Sequence, residues 1–327
     1  MVTVVTESEL RHCVTADAEA LAIVEDGFAR LGRGEATIPP IMGLEIPEKN
    51  GAADVKAAYV SGWEAFAIKI STRFFDNPRR GLPSGSGMMT LLDADTGQPR
   101  AILLDNGYLT TVRTALAGAL AAKYLAPQRV ATVGVIGAGS QARWQVAALR
   151  LVRPFDRVVV YGRDAERATR YVQEMADGLG VPVEAVDSAE ALAQASDVIV
   201  TTTPATKPLL EGGWLRPGTH VSAMGSDAAH KNELAPSVFA VADVVACDLR
   251  DQCLQRGELR HAVAAGTVTQ DHPAVELGAL VNGGAPGRSD DQQITVCDLT
   301  GVGIQDTAIA RYALRCVVAA GLGQEIG

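Results

Sequence analysis

Two rhythms of apolar and polar positions divide this chain. From Val130 onward, short apolar runs alternate with amphipathic stretches. Strands are predicted over Val130–Ile136, Arg157–Tyr161, Val183–Val186, Val198–Thr202, His220–Met224 and Val244–Cys247. Helices are predicted between them over Ser140–Leu151, Asp164–Leu179 and Ser188–Ala195. That alternation predicts a parallel sheet with helices on both faces. Before Val130 the rhythm is absent. A short strand and a turn lead into a helix capped by Thr15 or Asp17, with Leu21, Ile23, Val24 and Phe28 as its apolar face and Gly32 and Gly34 at its end. Ile38–Ile46 is Pro-rich and extended. Ala53–Val60 and Ala65–Ser71 form a hairpin around Ser61-Gly62, and Gly87–Leu92 and Pro99–Leu104 form another around Asp95-Thr96-Gly97. Phe74–Ser86 between them is a loop. This half is antiparallel in style.

Tyr108–Leu125 is an Ala-rich helix stopped by Pro127, and the alternating region starts there. After Leu249 the pattern loosens. Ser289–Gly303 holds one more strand and a glycine turn, and Gln305–Gly321 is a last helix. The fold class is α/β.

Composition narrows the partners. The chain has 327 residues, 47% hydrophobic, 20% charged and 5% aromatic, with a net charge of −9 and no basic tract. The length fits about two domains. The acidic balance disfavours nucleic acid and anionic membranes, so an anionic ligand has to be held by a few local cations. Cys13, Cys247, Cys253, Cys297 and Cys316 are odd in number and lack C-x-x-C spacing, which reads as buried or incidental thiols in a reducing compartment. No signal-peptide pattern opens the chain, and no uncharged apolar run reaches the roughly 18 residues of a membrane helix. A cytoplasmic protein without a membrane span is expected.

The first strand of the alternating region runs straight into Gly137-Ala138-Gly139-Ser140-Gln141-Ala142, the pattern G-x-G-x-x-A. In a dinucleotide-binding βαβ unit the first glycine makes the tight turn. The second admits a pyrophosphate to the backbone, and the third small residue lets helix pack on strand. The phosphates sit on N–H groups at the helix start. Strand before and helix after raise this pattern above an ordinary glycine turn. At the end of the next strand an NAD site usually carries Asp or Glu. Here Tyr161 and Gly162 are followed by Arg163, which can pair with a 2′-phosphate. NADP(H) is favoured and NAD(H) remains open, since Arg163 can equally be a solvated turn residue and Asp164 can serve NAD after a small shift of register.

Other stretches add to this loop: Phe66–Lys69, Asn106–Ala117 (NGYLTTVRTALA), Val135–Gln141, Thr201–Pro204 (TTTP), Gly225–Leu234 (GSDAAHKNEL) and Gly301–Ala308 (GVGIQDTA). Together they resemble the ornithine cyclodeaminase/μ-crystallin family over nearly the full length. Phe74–Gly85 and Leu103–Thr110 look closest to the cyclodeaminase-like proteins encoded with ectoine-degradation enzymes. The resemblance implies a Rossmann NAD(P)-binding domain over 127–303. It also implies an α+β substrate-binding and dimerisation domain from 1–126 and 304–327, and a homodimer. It implies a small imino or amino acid as substrate. The chemistry it implies is reduction of a 2-imino acid by NAD(P)H, or cyclodeamination of a diamino acid such as ornithine. In some relatives of μ-crystallin type it is binding of NADP(H) and a small ligand without turnover.

By the same resemblance Lys69 and Arg113 hold the substrate carboxylate, with Lys69 in the catalytic set. Asp227 is the acidic residue near the nicotinamide. Thr202, Thr203, Met224, Gly225, Asp227 and Gly301 join Gly137, Ala138, Gly139, Ser140, Gln141 and Arg163 as nucleotide contacts. Asp227 follows a predicted strand, where a carboxylate can stabilise an iminium and relay a proton; capping a helix after Lys231 is the alternative. Arg79 and Arg80 are weaker candidates for anion contact. Two departures from the family bear on specificity. Where cyclodeaminases carry a glutamate for deamination, this chain has Lys56. A cation cannot act as a carboxylate base and repels an ammonium side chain, whereas it welcomes a second carboxylate. Lys56 therefore points away from ornithine and towards a dicarboxylic imino acid such as iminosuccinate. Ala228-Ala229 replaces the family's usual Pro-Gly pair, which brings His230 near Asp227. His12, His220, His261 and His272 show no metal-ligand spacing, and no G-x-S-x-G elbow exists. Neither a metal nor a nucleophilic serine is expected.

Overall fold

The computed structural model describes residues 1–327 and divides them into two compact units, Met1–Thr114 with Val302–Gly327 and Ala115–Gly301. The sequence had placed the boundary at 126/127, behind the Ala-rich helix. The units part inside that helix instead, after Thr114, and again between Gly301 and Val302. The first of these boundaries falls within a continuous helix, where no linker marks it.

The first unit runs through β1 (Val2–Thr6), α1 (Glu7–Cys13), α2 (Ala18–Gly32), β2 (Ala36–Thr37), β3 (Met42–Ile46), β4 (Gly51–Val60), β5 (Ala65–Phe74), β6 (Gly85–Asp93) and β7 (Pro99–Leu104) into the start of α3 (Tyr108–Leu125). The second holds β8 (Thr132–Ile136), α4 (Ser140–Leu149), β9 (Arg157–Tyr161), α5 (Ala165–Leu179), β10 (Val183–Ala185), α6 (Ala189–Ala195), β11 (Val198–Thr201) and β12 (Thr206–Leu210). It continues with β13 (His220–Ala223), β14 (Asn232–Leu234), α7 (Pro236–Val241), β15 (Val244–Cys247), α8 (Arg250–Arg256), α9 (Glu258–Ala264), β16 (Val275–Glu276), α10 (Leu277–Val281) and β17 (Thr295–Asp298). The chain then returns to the first unit with α11 (Gly303–Ala319) and β18 (Gln324–Ile326).

In the first unit the strands lie in the order β18-β1-β7-β6-β5-β4-β2, with β3 also on β4. The two expected hairpins, β4–β5 and β6–β7, are antiparallel. The antiparallel style is broken at one place, where β1, flanked by β18, joins β7 in parallel, Thr3 opposite Ala101. That pairing joins distant residues and leaves no hairpin signal. Helix α11 is fastened to the two central strands. Thr307 Oγ1 donates to the Ala58 carbonyl (2.8 Å) and accepts from the Ala67 N–H (3.1 Å). At its start, a Cβ on Gly303 would lie 2.2 Å from the Ala57 carbonyl oxygen, so only glycine lets the helix begin against β4.

In the second unit eight strands, all parallel, run in the order β10-β9-β8-β11-β13-β17-β15-β16. From β8 the chain builds outward through β9 and β10, then restarts on the other side of β8 with β11 and β13. That reversal creates a crevice at the carboxyl ends of β8 and β11, where open parallel sheets bind ligands. Both faces are covered. Val133, Val135, Val158 and Val160 pack with Ala142, Val146 and Tyr171 on one side. Ile136, Val159, Ile199 and Val221 pack with Leu192, Leu234 and Phe239 on the other. Helices α7 to α10, at five to seven residues each, were not expected, since fewer than two turns leave no periodicity to read.

Candidate active site

The crevice in the second unit opens into a cavity of about 590 Å³. Its wall comes from three loops: Gly137–Gly139 after β8, Gly162–Asp164 after β9 and Thr202–Thr206 after β11. The volume falls in the range of small-molecule and cofactor sites. Gly137 has φ of +111°, and a Cβ there would sit 2.9 Å from Thr202 Oγ1 and 3.0 Å from Thr203 Cγ2. It is glycine both for its backbone and for its neighbours. Around Gly139, by contrast, nothing lies within 4 Å of an added Cβ, so the backbone faces open space at the start of α4. The turn is tied down by Gly137 N–H to the Tyr161 carbonyl (2.8 Å) and Thr202 N–H to the Ile136 carbonyl (2.9 Å). Arg143, which the sequence reading missed, braces it from beneath, donating to the carbonyls of Ala138 (2.9 Å) and Gly139 (3.0 Å) while paired with Glu174. A tight turn, a bare second glycine and a helix that starts at the cavity are what a dinucleotide pyrophosphate needs, and the residues present fit one.

The adenine-side loop separates Arg163 from Asp164. Asp164 Oδ1 accepts from the Arg167 N–H (3.1 Å) and caps α5, and its other oxygen lies 3.3 Å from Arg167 Nε. Its carboxylate is committed to the helix. Arg163 is exposed on the cavity wall. Ser140 and Gln141 begin α4, just beyond the wall.

Met224, Gly225 and Asp227 do not line this cavity; they follow β13, the strand next to β11. Their loop touches the Thr203 loop closely, since a Cβ on Gly225 would meet the Thr203 carbonyl oxygen at 2.3 Å. Asp227 is ion-paired with Lys231 at 2.6 Å, and Ser226 Oγ closes the turn by donating to the Lys231 carbonyl (2.8 Å). The helix-cap alternative for Asp227 does not hold, because β14 follows Lys231 and the next helix starts only at Pro236. His230 is exposed. Gly301, with φ of +79°, donates to Asp248 Oδ2 (2.6 Å) in the turn after β17.

In the first unit, the hairpin register sets Lys56 of β4 directly opposite Lys69 of β5. Such pairs share one face of the sheet with Cβ atoms about 5 Å apart. Both lysines are buried, as is Arg113 on α3. All three act on Asp306 of α11. Lys69 Nζ donates to Asp306 Oδ1 (3.0 Å) and lies 2.9 Å from Oδ2. Arg113 Nε lies 2.9 Å from Oδ1, close enough for ion pairing but angled off the hydrogen-bonding line. Arg113 Nη1 donates to Gln305 Oε1 (3.2 Å). Burial lowers Lys69 to about 7, helped by Arg113 and Lys56 and opposed by Asp306. Burial would raise Asp306, but Arg113, Lys69 and Lys56 outweigh it and hold its carboxyl below the usual value. Sequence alone does not single out Asp306, because nothing near it in the chain signals two cations. Arg79 and Arg80 are exposed at a loop tip, with Arg79 against Asp76 (3.3 Å), as solvated arginines are.

Nothing in either unit is long and apolar enough as a helix to cross a membrane. Comparison with known proteins places the chain. It matches the Ornithine cyclodeaminase/mu-crystallin family over residues 1–319. A Rhizobium meliloti protein named as a dehydrogenase is 49% identical over 320 residues, covering 98% of this chain and 97% of the relative. The iminosuccinate reductase of Paracoccus denitrificans is 35% identical over 327 residues, 99% of each chain. Its crystal structure with NAD+ superposes with a TM-score of 0.91, covering 100% of this chain and 99% of that one. The Thermococcus litoralis Delta(1)-pyrroline-2-carboxylate reductase, solved with NADH and L-proline, superposes with a TM-score of 0.95 at 29% identity, covering 99% and 100%. The chain belongs to the ornithine cyclodeaminase/mu-crystallin family, whose matched members are oxidoreductases acting on imines and cyclodeaminases.

Proposed function

We propose that the protein reduces a small dicarboxylic 2-imino acid, of the iminosuccinate class, to the amino acid, with NADPH as its preferred reductant. The observation that carries this reading is the pair of buried lysines, Lys56 and Lys69, set face to face beside Arg113. Like charges opposite one another on a sheet repel. An anion with two carboxylates relieves that repulsion and gains charge-assisted hydrogen bonds. Lys69 and Arg113 take the carboxylate next to the imine carbon, and Lys56 takes the second. Asp306 holds the two inner cations in place while the site is empty. The Paracoccus relative supports the substrate class by name.

The nucleotide belongs to the second unit. Gly137, Ala138, Gly139, Ser140 and Gln141 hold the pyrophosphate, and Thr202, Thr203, Met224, Gly225 and Gly301 carry the loops beyond it. Bound nicotinamide supplies the hydride that converts the imine carbon to a saturated one. Asp227, oriented by Lys231, stabilises the protonated iminium and exchanges the proton on nitrogen. Arg163, free of protein partners beside a committed Asp164, favours the 2′-phosphate of NADPH. The solved relatives hold NAD(H), which is the alternative reductant; the NADPH reading rests on Arg163 alone. Phe74–Gly85 and Leu103–Thr110 keep a role alongside ectoine-degradation enzymes within the same proposal.

The purified protein is expected to oxidise NADPH when oxaloacetate is mixed with ammonia, and much more slowly with pyruvate and ammonia. Release of ammonia from ornithine with no net cofactor turnover would overturn the reading. Asp227→Asn should lose turnover by about 100-fold or more while keeping nucleotide affinity. Equal loss of both makes Asp227 a structural residue instead.

A further inference from the structure

Glu233 on β14 is fully buried and lies behind the cavity lining. Its carboxylate accepts three hydrogen bonds: from Thr201 Oγ1 (2.6 Å), the Thr203 N–H (2.5 Å) and the Gly225 N–H (2.8 Å). Thr201 ends β11, and Gly225 follows β13. One side chain therefore spans the carboxyl ends of two neighbouring parallel strands, the place where such sheets bind ligands. The fit is close enough to dictate sequence. A Cβ on Gly225 would lie 2.4 Å from Glu233 Oε2, so only glycine is admitted there. Behind it, the buried Glu258 accepts from the N–H groups of Glu233 (2.7 Å) and Leu234 (3.1 Å). Asp298 in turn accepts from the Leu259 N–H (2.9 Å). The backbone of β14 is thus held on its far side by a second carboxyl group, pushed up to about 9 by burial and by Asp298 and Glu233 and itself held through α9.

Burying a carboxylate is costly, and the cost is met only where several donors converge on it. A carboxylate accepts from three donors without presenting a donor of its own, which neither an amide nor a hydroxyl can do. We propose that Glu233 is a positioning residue for the nucleotide, locking the Thr201–Thr203 and Gly225–Asp227 segments at one spacing so that the cavity wall and Asp227 are set together. The inference rests on the nucleotide reading of the second unit.

The test compares Glu233→Gln and Thr201→Val with the full-length wild type. A glutamine turns an NH2 group towards the Thr203 or Gly225 N–H, so one of these contacts is lost. NADPH affinity, read by titration of nucleotide fluorescence, should fall about 10- to 100-fold. Amide exchange should quicken in peptides containing Thr203 and Gly225. KM for the imino acid, bound by the other unit, should stay within about threefold while kcat falls. Thr201→Val removes a single donor while keeping a side chain of the same shape, so it should move affinity and exchange the same way by less. A folded Glu233→Gln with wild-type affinity and wild-type exchange overturns the inference. So does a variant whose thermal stability falls while the affinity of the folded fraction is unchanged. If Glu233→Gln does not fold, Thr201→Val decides, and unchanged affinity and exchange in it overturn the inference. A wild type that binds no nucleotide overturns this inference and the proposed function together, whereas a binding wild type with unaffected variants overturns this one alone.

Discussion

In the proposed reading substrate class turns on Lys56, and Lys56→Met isolates its charge. Methionine keeps an unbranched stem of similar length in the buried row of β4, so packing against β5 is retained while the ammonium is removed. In the proposed complex that ammonium faces the second carboxylate of the substrate. Hydrogen bonds to charged groups contribute about 1.5 to 3 kcal/mol. At about 1.4 kcal/mol per decade, kcat/KM for a dicarboxylic imine should fall about 10- to 150-fold. A monocarboxylic imine never meets Lys56 and should change by less than about threefold, a difference of about 0.7 kcal/mol. Lys69 should also move upward from about 7, because one of the like charges that lower it is gone. The assay is initial-rate NADPH oxidation with oxaloacetate plus ammonia against pyruvate plus ammonia, for wild type and variant in parallel. Equal losses on the two substrates, or an unchanged rate on the dicarboxylate, refute the assignment of Lys56 to the second carboxylate.

Three further outcomes follow from the same geometry. Because Lys69 sits near 7, about nine-tenths of it is neutral at pH 8; an anion bound beside it restores the charge, so titration with succinate should take up close to one proton at pH 8 and only about a tenth at pH 6. Calorimetry in two buffers of different ionisation heat measures this, and zero uptake at pH 8 would sink the idea. Arg163→Ala should weaken NADPH about 10- to 100-fold and leave NADH within about twofold; equal weakening of both makes Arg163 a solvated turn residue. A homodimer is expected from the family resemblance, and the edge strand β3 exposes Met42 (64%) and Leu44 (59%), an apolar edge that proteins ordinarily cover. Leu44→Glu should then halve the mass measured by light scattering, and a variant that keeps the wild-type dimer mass rules β3 out.

What the sequence disclosed depended on how local the signal was. Helix α3 was read at its observed limits, Tyr108 to Leu125, and strand β9 at Arg157 to Tyr161, because an Ala-rich helix and an apolar run are marked within themselves. The glycine turn was legible for the same reason. The short helices between Pro236 and Val281 were not, and neither was α1, whose seven residues are announced only by a cap in which Glu9 accepts from the Thr6 N–H at 2.8 Å. The cation cluster was half legible. Lys56 and Lys69 were each singled out, and their pairing could have been found by counting back from the hairpin turn, since both stand equally far from it. Asp306 could not be found that way, for it meets Lys69 from 237 residues further along. Glu233 was hidden differently: in a short polar stretch it reads as an ordinary exposed glutamate, and only the convergence of β11, β13 and β14 buries it.

The long reach of α11 has a consequence for synthesis. The chain emerges with β4, β5 and the Lys56–Lys69 pair early, yet Asp306 and Thr307 arrive only after the whole nucleotide-binding unit has been made. Until then the face of β4 and β5 that α11 covers is open, and Ala58 and Ala67 lack the hydroxyl that joins them from up to 249 residues away. The two buried lysines and Arg113 have no Asp306 to gather round. The nascent first half is therefore an exposed sheet carrying clustered positive charge, and it closes only when the final helix leaves the ribosome. The parallel-sheet unit has no such debt to the C-terminus, so it can become native first. Released chains truncated just before Gly303, which keep β17 but lack α11, should show a protease-resistant second unit and a protease-sensitive first one.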